Sequence, residues 1–219
     1  MQIRIQKYLS QAGICSRRKA EVYLQEGLIK VNGKTVTTLG TKVDPKKDKV
    51  TLSKELVEER KHMVYILLNK PKGYVSTCAQ KDEKPVTDLI KTKTRVYPVG
   101  RLDKDTTGLL LLTNDGTVTY RLTHPKFHHE KEYLVTVTNI TIPQLEKIKR
   151  GVKLDKTKTK TTTVTKVNRK QFKLILTEGR YHHIKRVVQK VGSKVVDLKR
   201  IRIENLTLKD LPKGKSRKL

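Results

Sequence analysis

Residues 100–116 hold the side chains of this chain with the clearest chemical potential. Asp103 lies in a short polar segment between Gly100 and Gly108, directly before the apolar run of residues 109–112. Glycines permit tight backbone turns, so the segment can form a compact loop with Asp103 at its tip. A carboxylate held there can act as a nucleophile or as a general base. An aspartate that only hydrogen bonds its own turn is the alternative interpretation.

The apolar run that follows Asp103 predicts the element that positions it. Residues 109–112 are four consecutive leucines, bounded by Gly108 and by the Asn-Asp-Gly sequence at 114–116. A short, wholly apolar run between turn residues is typical of a strand that is buried on both faces. We therefore expect a rigid buried strand that ends in a tight turn.

Four motifs occur in the order in which a known family has them. The sequence Gly-Arg-Leu-Asp at 100–103, followed by Thr-x-Gly-Leu-Leu-Leu-Leu-Thr-x-Asp-Gly, resembles the catalytic-aspartate motif of the bacterial RNA pseudouridine synthases. The supporting motifs are Leu-Asn-Lys-Pro-Lys-Gly-Tyr-Val at 68–75, Glu-Lys-Glu-Tyr-Leu-Val at 130–135 and Glu-Gly-Arg-Tyr-His-His-Ile-Lys-Arg at 178–186. Within this family, the chain most resembles the ribosomal small-subunit branch.

The resemblance implies roles for three residues. Asp103 is implied to be the catalytic carboxylate, which acts as a nucleophile on the sugar or the base, or as a base toward a sugar proton. Tyr133 is implied to stack on the everted uracil and to assist proton transfer. Lys185 is implied to pair with Asp103 and to stabilise its ionised form in a dry pocket. By spacing alone, a surface lysine of a basic helix is the favoured interpretation of Lys185.

Other basic residues of these motifs are candidates for RNA contacts. Arg101 can fill the gap that an everted base leaves in its stack, or can form a plain ion pair or phosphate contact. Lys70, Arg180 and Arg186 are expected to contact RNA. The family usually has glutamine where this chain has His183, so the resemblance supports no role for that histidine.

The charge of the chain indicates a polyanionic partner independently of any motif. The 219 residues include 50 Lys and Arg against 21 Asp and Glu, which leaves a formal net charge of +29. Such a surface binds nucleic acid through counterion release. A membrane surface is the weaker candidate, because no long apolar stretch, signal peptide or lipidation motif is present. We expect a cytoplasmic protein.

The cysteines and histidines do not predict a metal site or a disulfide framework. Cys15 and Cys78 are far apart in sequence and form no Cys-x-x-Cys pair, so both are expected to be reduced thiols. The paired histidines at 128–129 and 182–183 point apart on a strand or a helix, and no His-Glu-x-x-His motif exists. We expect no metal and no cofactor.

The N-terminal residues predict a small basic module. The stripe Ile5, Tyr8, Leu9 and Ala12 indicates one helix, and a second helix begins after the N-cap candidate Ser16 and ends near Gly27. Residues 28–36, with Asn-Gly at the centre, form the strongest hairpin signal in the chain.

The first turn of the second helix carries a cluster of cations. Arg17, Arg18 and Lys19 oppose the helix dipole there, so phosphate contact explains them better than helix stability does, although a solvated charged face is the alternative. Residues 1–60 resemble an S4-type RNA-binding domain, and the resemblance favours RNA contact for these cations.

The remaining residues predict a second domain with an α+β fold. Strands are expected at 65–68, 109–112, 133–137, 162–167, 172–176 and 195–203, and helices at 141–152 and 184–191. Hairpin-like neighbours favour a mainly antiparallel sheet. We expect an S4-type domain at 1–60 and a pseudouridine synthase domain at 61–219. Residues 54–62 lack a hairpin pattern, so we place the linker there. Residues 212–219 are expected to form a flexible basic tail.

Two functions compete at this point. The first is an enzyme that isomerises a uridine of ribosomal RNA, with small-subunit 16S rRNA at a site of the uridine 516 type favoured and large-subunit 23S rRNA second. The substrate could be naked RNA or a small-subunit assembly intermediate. The second is a non-catalytic RNA-binding protein of the ribosome that retains the scaffold. The presence of Asp103, Tyr133 and Lys185 together favours the enzyme. Nothing in the sequence predicts oligomerisation, so we expect a monomer.

Overall fold

The computed structural model describes residues 1–58, 62–79 and 81–219. The chain folds as two compact units. The first contains residues 1–64, 93–95 and 114–116, and the second contains residues 65–92, 96–113 and 117–219. The expected boundary at residues 60 and 61 lies outside the described residues. No helix of the described residues combines the length and the apolar character needed to cross a membrane.

The first unit packs two helices against short strands. Its elements are β1 (Ile3–Arg4), α1 (Ile5–Ala12), α2 (Arg17–Gln25), β2 (Ile29–Val31), β3 (Lys34–Thr35), β4 (Lys42–Val43), β5 (Val50–Leu52) and β6 (Glu55–Leu56). Ile5, Tyr8 and Leu9 are buried, as the helical spacing predicts. The Ser16 hydroxyl accepts a hydrogen bond from the Lys19 backbone N–H at 3.1 Å, so the predicted N-cap of α2 is confirmed.

The two hairpins of the first unit differ in how well their sequences predict them. Asn32 and Gly33 both have positive φ, at 50° and 83°, which is the turn that Asn-Gly predicts between β2 and β3. The expected linker at 54–62 is wrong in its first part, because β6 pairs with β5. Ser53 and Lys54 make that second turn with positive φ and no glycine, so turn composition could not reveal it.

The second unit is built on one large sheet. The strands of the second unit, most of which belong to this sheet, are β7 (Tyr65–Lys70), β8 (Tyr74–Val75), β9 (Lys84–Pro85), β10 (Tyr97–Val99), β11 (Thr107–Thr113), β12 (Lys131–Val137), β13 (Lys153–Leu154), β14 (Thr157–Lys158), β15 (Thr163–Lys166), β16 (Gln171–Leu176), β17 (Val195–Ile203), β18 (Leu206–Thr207) and β19 (Ser216–Lys218). Its helices are α3 (Gly116–Thr123), α4 (Ile142–Arg150) and α5 (His183–Lys190), with 3-10 turns at Val86–Leu89 and Pro125–Phe127.

The strand order of the large sheet is β15-β16-β12-β17-β11-β7-β19. Its neighbours are antiparallel except for β11 and β17, so the expected mainly antiparallel α+β fold is confirmed. Every residue of β11 is buried, as the leucine run predicts. The predicted strands at 65–68, 133–137, 162–167, 172–176 and 195–203 form as β7, β12, β15, β16 and β17, and both predicted helices form as α4 and α5.

Gly108 is required by close packing inside β11 rather than by a turn. Its φ is +103°, and a Cβ added there would lie 2.2 Å from the backbone oxygen of Arg200 on the neighbouring strand β17. A side chain at this position would force β11 and β17 apart. The glycine therefore fixes the distance between the strand that follows Asp103 and the strand that carries Arg200.

Two further expectations are wrong. Residues 216–218 are not a flexible tail but form β19, which pairs with β7 from Ser216 opposite Leu68 to Lys218 opposite Ile66. Its side chains are exposed, so only backbone pairing identifies it as a strand. The tight turn expected at 114–116 instead leads into α3, which begins at Gly116 and has no fully buried residue to produce an apolar stripe.

Candidate active site

Hydrogen bonds to its backbone fix the loop that carries Asp103. Ser76 accepts a hydrogen bond from the Leu102 backbone N–H at 3.0 Å and donates one to the Leu102 carbonyl oxygen at 2.8 Å. The Leu102 side chain is buried, and the Thr106 backbone N–H donates to the Asp103 carbonyl oxygen at 3.0 Å. The backbone on both sides of Asp103 is therefore held in one conformation, which orients its carboxylate.

Lys70 also holds this loop, through a buried side chain. Its expected role in RNA contact is wrong. Its side chain is fully buried, so it cannot contact RNA as we expected. Its ammonium donates hydrogen bonds to the carbonyl oxygens of Pro71 at 3.1 Å, Asp103 at 3.1 Å, Lys104 at 3.3 Å and Thr106 at 2.8 Å. A buried charge that is satisfied by carbonyl groups stabilises a loop conformation.

The charge state of Lys70 responds to this burial. Desolvation lowers the pKa of Lys70 to about 8, against the opposing effect of the carboxylates of Asp105 and Asp103, and the guanidinium of Arg200 lowers it further. At neutral pH the ammonium is therefore still mostly protonated and can donate its three hydrogens.

A substitution of Lys70 tests the anchor. Lys70→Met removes the shared donor of these four carbonyls, and each carbonyl left unpaired costs about 1–3 kcal/mol. It also removes a charge whose burial costs about 3 kcal/mol by the lowered pKa. We expect the free energy of unfolding to change by less than about 3 kcal/mol and kcat to fall about 100-fold, because the loop geometry loosens. Wild-type kcat in this variant would contradict the anchor, and the exposed neighbour Lys72 supplies the control Lys72→Met.

Two basic side chains lie close to the Asp103 carboxylate. The Lys185 Nζ lies 3.5 Å and the His182 Nε2 lies 3.7 Å from the same oxygen, Oδ2. The Asp103 side chain is 38% exposed, so the carboxylate is open to a substrate on one side and faces protein on the other. The structure thus brings together Asp103 and the lysine that sequence reasoning paired with it, and adds His182.

Asp105 is a site residue that sequence reasoning missed. Lys185 donates to both of its carboxylate oxygens at 2.7 Å, so the nearest partner of Lys185 is Asp105 rather than Asp103. Partial burial raises the pKa of Asp105, but the hydrogen bonds and charge of Lys185 outweigh burial and hold it below its usual range. The sequence signal that could have identified Asp105 is its position two residues after Asp103 in the same loop.

Tyr133 lies in the same site. It is half-buried on β12, opposite Arg200 of β17 and Leu174 of β16. Its side chain lines a cavity of about 120 Å³ together with Asp103 and Lys185. A cavity of this volume has room for several water molecules.

The small cavity adjoins a larger cationic cleft of about 850 Å³. The two share Asp103, Tyr133 and His182. Among the described residues that line the cleft, six are Lys or Arg and two are acidic. These are Arg101, Lys104, Lys131, Lys160, Arg180 and Arg200 against Asp103 and Glu178. Such a lining favours a polyanionic ligand over a neutral one.

The basic residues expected to contact RNA differ in their surroundings. Arg101 is exposed and lines both the cleft and the small cavity. Arg180 is engaged within the protein, with hydrogen bonds to the Thr157 hydroxyl at 2.8 Å, to the Lys158 carbonyl at 2.9 Å and to Glu178. Arg186 donates to both carboxylate oxygens of Asp155 at 2.6 Å.

Those internal partners change what Arg180 and Arg186 are expected to do. Arg180 joins the segment at 157–158 to Glu178 at the wall of the cleft. The partner of Arg186 is largely exposed, which leaves that ion pair open to exchange with a phosphate. In the first unit, Arg17, Arg18 and Lys19 are exposed on the first turn of α2, as their sequence pattern predicts.

His183, where the family usually has glutamine, is buried beside the site. Its Nε2 lies 3.7 Å from Glu178 Oε1, and its Nδ1 has no hydrogen-bond partner among the described residues. Burial lowers the pKa of His183; Glu178 opposes this, and Arg180 and Arg186 add to it. The imidazole is therefore held in its neutral form.

The lowered pKa of His183 predicts an acid-sensitive stability. As pH falls below about 6.5, the unfolded chain takes up a proton that the buried imidazole resists, so the free energy of unfolding decreases. We expect His183→Gln to show a shallower decrease than the wild type between pH 7 and pH 5 in urea titrations. Equal slopes in the two proteins would contradict this assignment, and the exposed His128 supplies the control His128→Gln.

Comparison with known proteins identifies the family of this chain. The RNA pseudouridylate synthase family matches residues 64–190, and the S4 domain matches residues 3–50. A solved pseudouridylate synthase aligns over 99% of this chain and 96% of its own, with 31% identity and a TM-score of 0.72.

Curated relatives match over almost the whole chain. Ribosomal large subunit pseudouridine synthase B of Bacillus subtilis is 42% identical over 99% of this chain and 91% of its own length. Dual-specificity RNA pseudouridine synthase RluF of Escherichia coli K12 is 39% identical over 99% of this chain and 75% of its own. The chain therefore belongs to the RNA pseudouridylate synthase family and is an S4-domain pseudouridine synthase.

Proposed function

We propose that this enzyme isomerises a uridine of ribosomal RNA and that Asp103 is its catalytic carboxylate. The observation that carries the proposal is that Asp103, Lys185 and Tyr133 line one cavity. That cavity adjoins a cationic cleft able to bind the RNA backbone. Exposed cations of the first unit, Arg17, Arg18 and Lys19, provide further phosphate contacts.

The reaction breaks the C1′–N1 bond, rotates the uracil and joins C5 to C1′. N1 gains a proton and C5 loses one, so the atoms balance without a co-reactant. Each route open to Asp103, attack on the sugar, attack on the base or removal of a sugar proton, requires its ionised carboxylate beside the everted nucleotide. Lys185, 3.5 Å from Asp103, stabilises that ionised form as the cleft loses water.

Tyr133 and Arg101 are assigned supporting roles. The Tyr133 ring stacks on the uracil in the small cavity, and its hydroxyl assists the proton transfers at the base. Arg101, exposed at the junction of cavity and cleft, contacts the strand from which the uridine leaves.

The substrate is proposed to be large-subunit 23S rRNA. The Bacillus subtilis relative, which is named for the large subunit, matches 99% of this chain at 42% identity and supports that choice. The small-subunit 16S rRNA is the second candidate, because the chain as a whole most resembles that branch.

Mapping pseudouridines in cells with and without the gene tests both proposals. Carbodiimide modification and primer extension across 16S and 23S rRNA should reveal one signal that is lost with the gene and restored by the wild-type gene but not by Asp103→Asn. A lost signal in 16S rRNA would overturn the 23S assignment. Identical maps in the two strains would contradict the rRNA substrate altogether.

A further inference from the structure

An aromatic pair at the rim of the active cleft has no role in the mechanism above. The rings of Tyr181 and His182 are stacked, with centroids 4.0 Å apart and planes 19° apart. Tyr181 is 76% exposed, the most exposed of the tyrosines and phenylalanines among the described residues. His182 lies on the inner side of the pair, with its Nε2 3.7 Å from the Asp103 carboxylate. The pair thus extends from the catalytic carboxylate to solvent.

His182 lies at the start of a helix and beside both the cleft and the small cavity. His182 has a φ of 47°, in the left-handed region, and immediately precedes α5. Histidine is one of the residues besides glycine that are enriched in this region. Tyr181 and His182 both line the large cleft, and His182 also lines the small cavity.

The chemistry of the surroundings identifies the ligand. The cleft is lined by six Lys or Arg and two acidic residues among those described, so its occupant is a polyanion. A polyanion that also offers flat faces for an exposed aromatic ring is a nucleic acid with unpaired bases. A uridine that everts toward Asp103 leaves its neighbour without a stacking partner.

We propose that Tyr181 and His182 form a stacking subsite for a nucleobase that flanks the everted uridine. The exposed face of Tyr181 replaces the stacking partner that the flanking base loses, and His182 supports the tyrosine ring from behind. This inference rests on the proposed function and deepens it, because it assigns the recognition of a neighbouring nucleotide to this enzyme. The ring, and not the tyrosine hydroxyl, is the binding group.

Kinetics of two variants test the subsite. With rRNA transcripts labelled with tritium at uridine C5, we expect Tyr181→Leu to lower kcat/KM about 10-fold through KM, with kcat within about threefold of the wild type. Tyr181→Phe keeps the ring and should remain within about twofold in both constants. Because Tyr181 is exposed, neither change should alter the thermal unfolding midpoint. Wild-type kcat/KM in Tyr181→Leu, or an equal loss in Tyr181→Phe, would overturn the proposal.

A binding measurement separates this inference from the proposed function. An RNA fragment with 2-aminopurine next to the mapped uridine should lose fluorescence on binding to the wild type and to Tyr181→Phe, but not to Tyr181→Leu. Absence of turnover by the wild type would count against the proposed function alone, since this quenching does not require catalysis. Equal quenching by all three proteins would count against the subsite alone.

Discussion

Replacing Asp103 with asparagine should lower kcat for pseudouridine formation by at least about 10⁴-fold. The amide keeps the shape of the carboxyl group but can act neither as a nucleophile nor as a base. The loop around it should persist, because Ser76 and Lys70 hold its backbone rather than its side chain. We therefore expect the Kd for rRNA to stay within about threefold of the wild type, in a filter-binding measurement at one fixed salt concentration.

The same substitution two residues later is a matched control. Asp105 shares Lys185 with Asp103 and belongs to the same loop, but its side chain is 64% exposed against 38% for Asp103. Asp105→Asn removes the nearest partner of Lys185 and leaves the catalytic carboxylate in place, so we expect kcat to fall less than about 10-fold. A loss in Asp105→Asn as large as that in Asp103→Asn would show that the loop, and not one carboxylate, is responsible.

Removing the charge of Lys185 should have the second largest effect. Its ammonium lies 3.5 Å from Asp103 and 2.7 Å from Asp105, so Lys185→Met leaves two neighbouring carboxylates without their shared cation. Loss of one preorganised charge at a reacting centre costs about 10²–10³-fold in kcat. Since Lys185 and both acids are partly exposed, the effect on folding stability should be small.

The conservative variant distinguishes charge from packing at this position. Lys185→Arg keeps the cation and should retain kcat within about 10-fold, with the difference set by its planar geometry. The measurement is single-turnover kinetics with saturating enzyme, which removes differences in RNA affinity. If Lys185→Met retains kcat within about threefold, Lys185 is a surface lysine, the alternative that its spacing left open.

Local sequence patterns predict elements in both units. Four leucines bounded by glycine and Asn-Asp-Gly predict the buried strand β11. Asn32-Gly33 predicts the hairpin of β2 and β3. The position of Asp103 directly before β11 follows from the family motif, whereas Gly108, expected to permit a turn, is instead required by the close approach of β17. These predictions succeed because a buried strand, a two-residue turn and a capped helix each depend on contiguous residues.

Features that depend on distant contacts could not be predicted in this way. Lys70 reads as a surface cation, yet carbonyls of residues 103, 104 and 106 surround its ammonium. The basic segment 216–218 reads as a tail, yet backbone pairing with β7 makes it a strand. In both cases the deciding hydrogen bonds join residues that are more than 30 positions apart.

Release of tritium from C5-labelled uridine tests the central claim most directly. Formation of the C5–C1′ bond expels the C5 hydrogen, so each isomerised uridine releases one tritium to water. With purified protein and its mapped rRNA, we expect the wild type to release one tritium per RNA molecule and Asp103→Asn to release none above background. Undiminished release by Asp103→Asn would contradict the assignment of this carboxylate as the catalytic group.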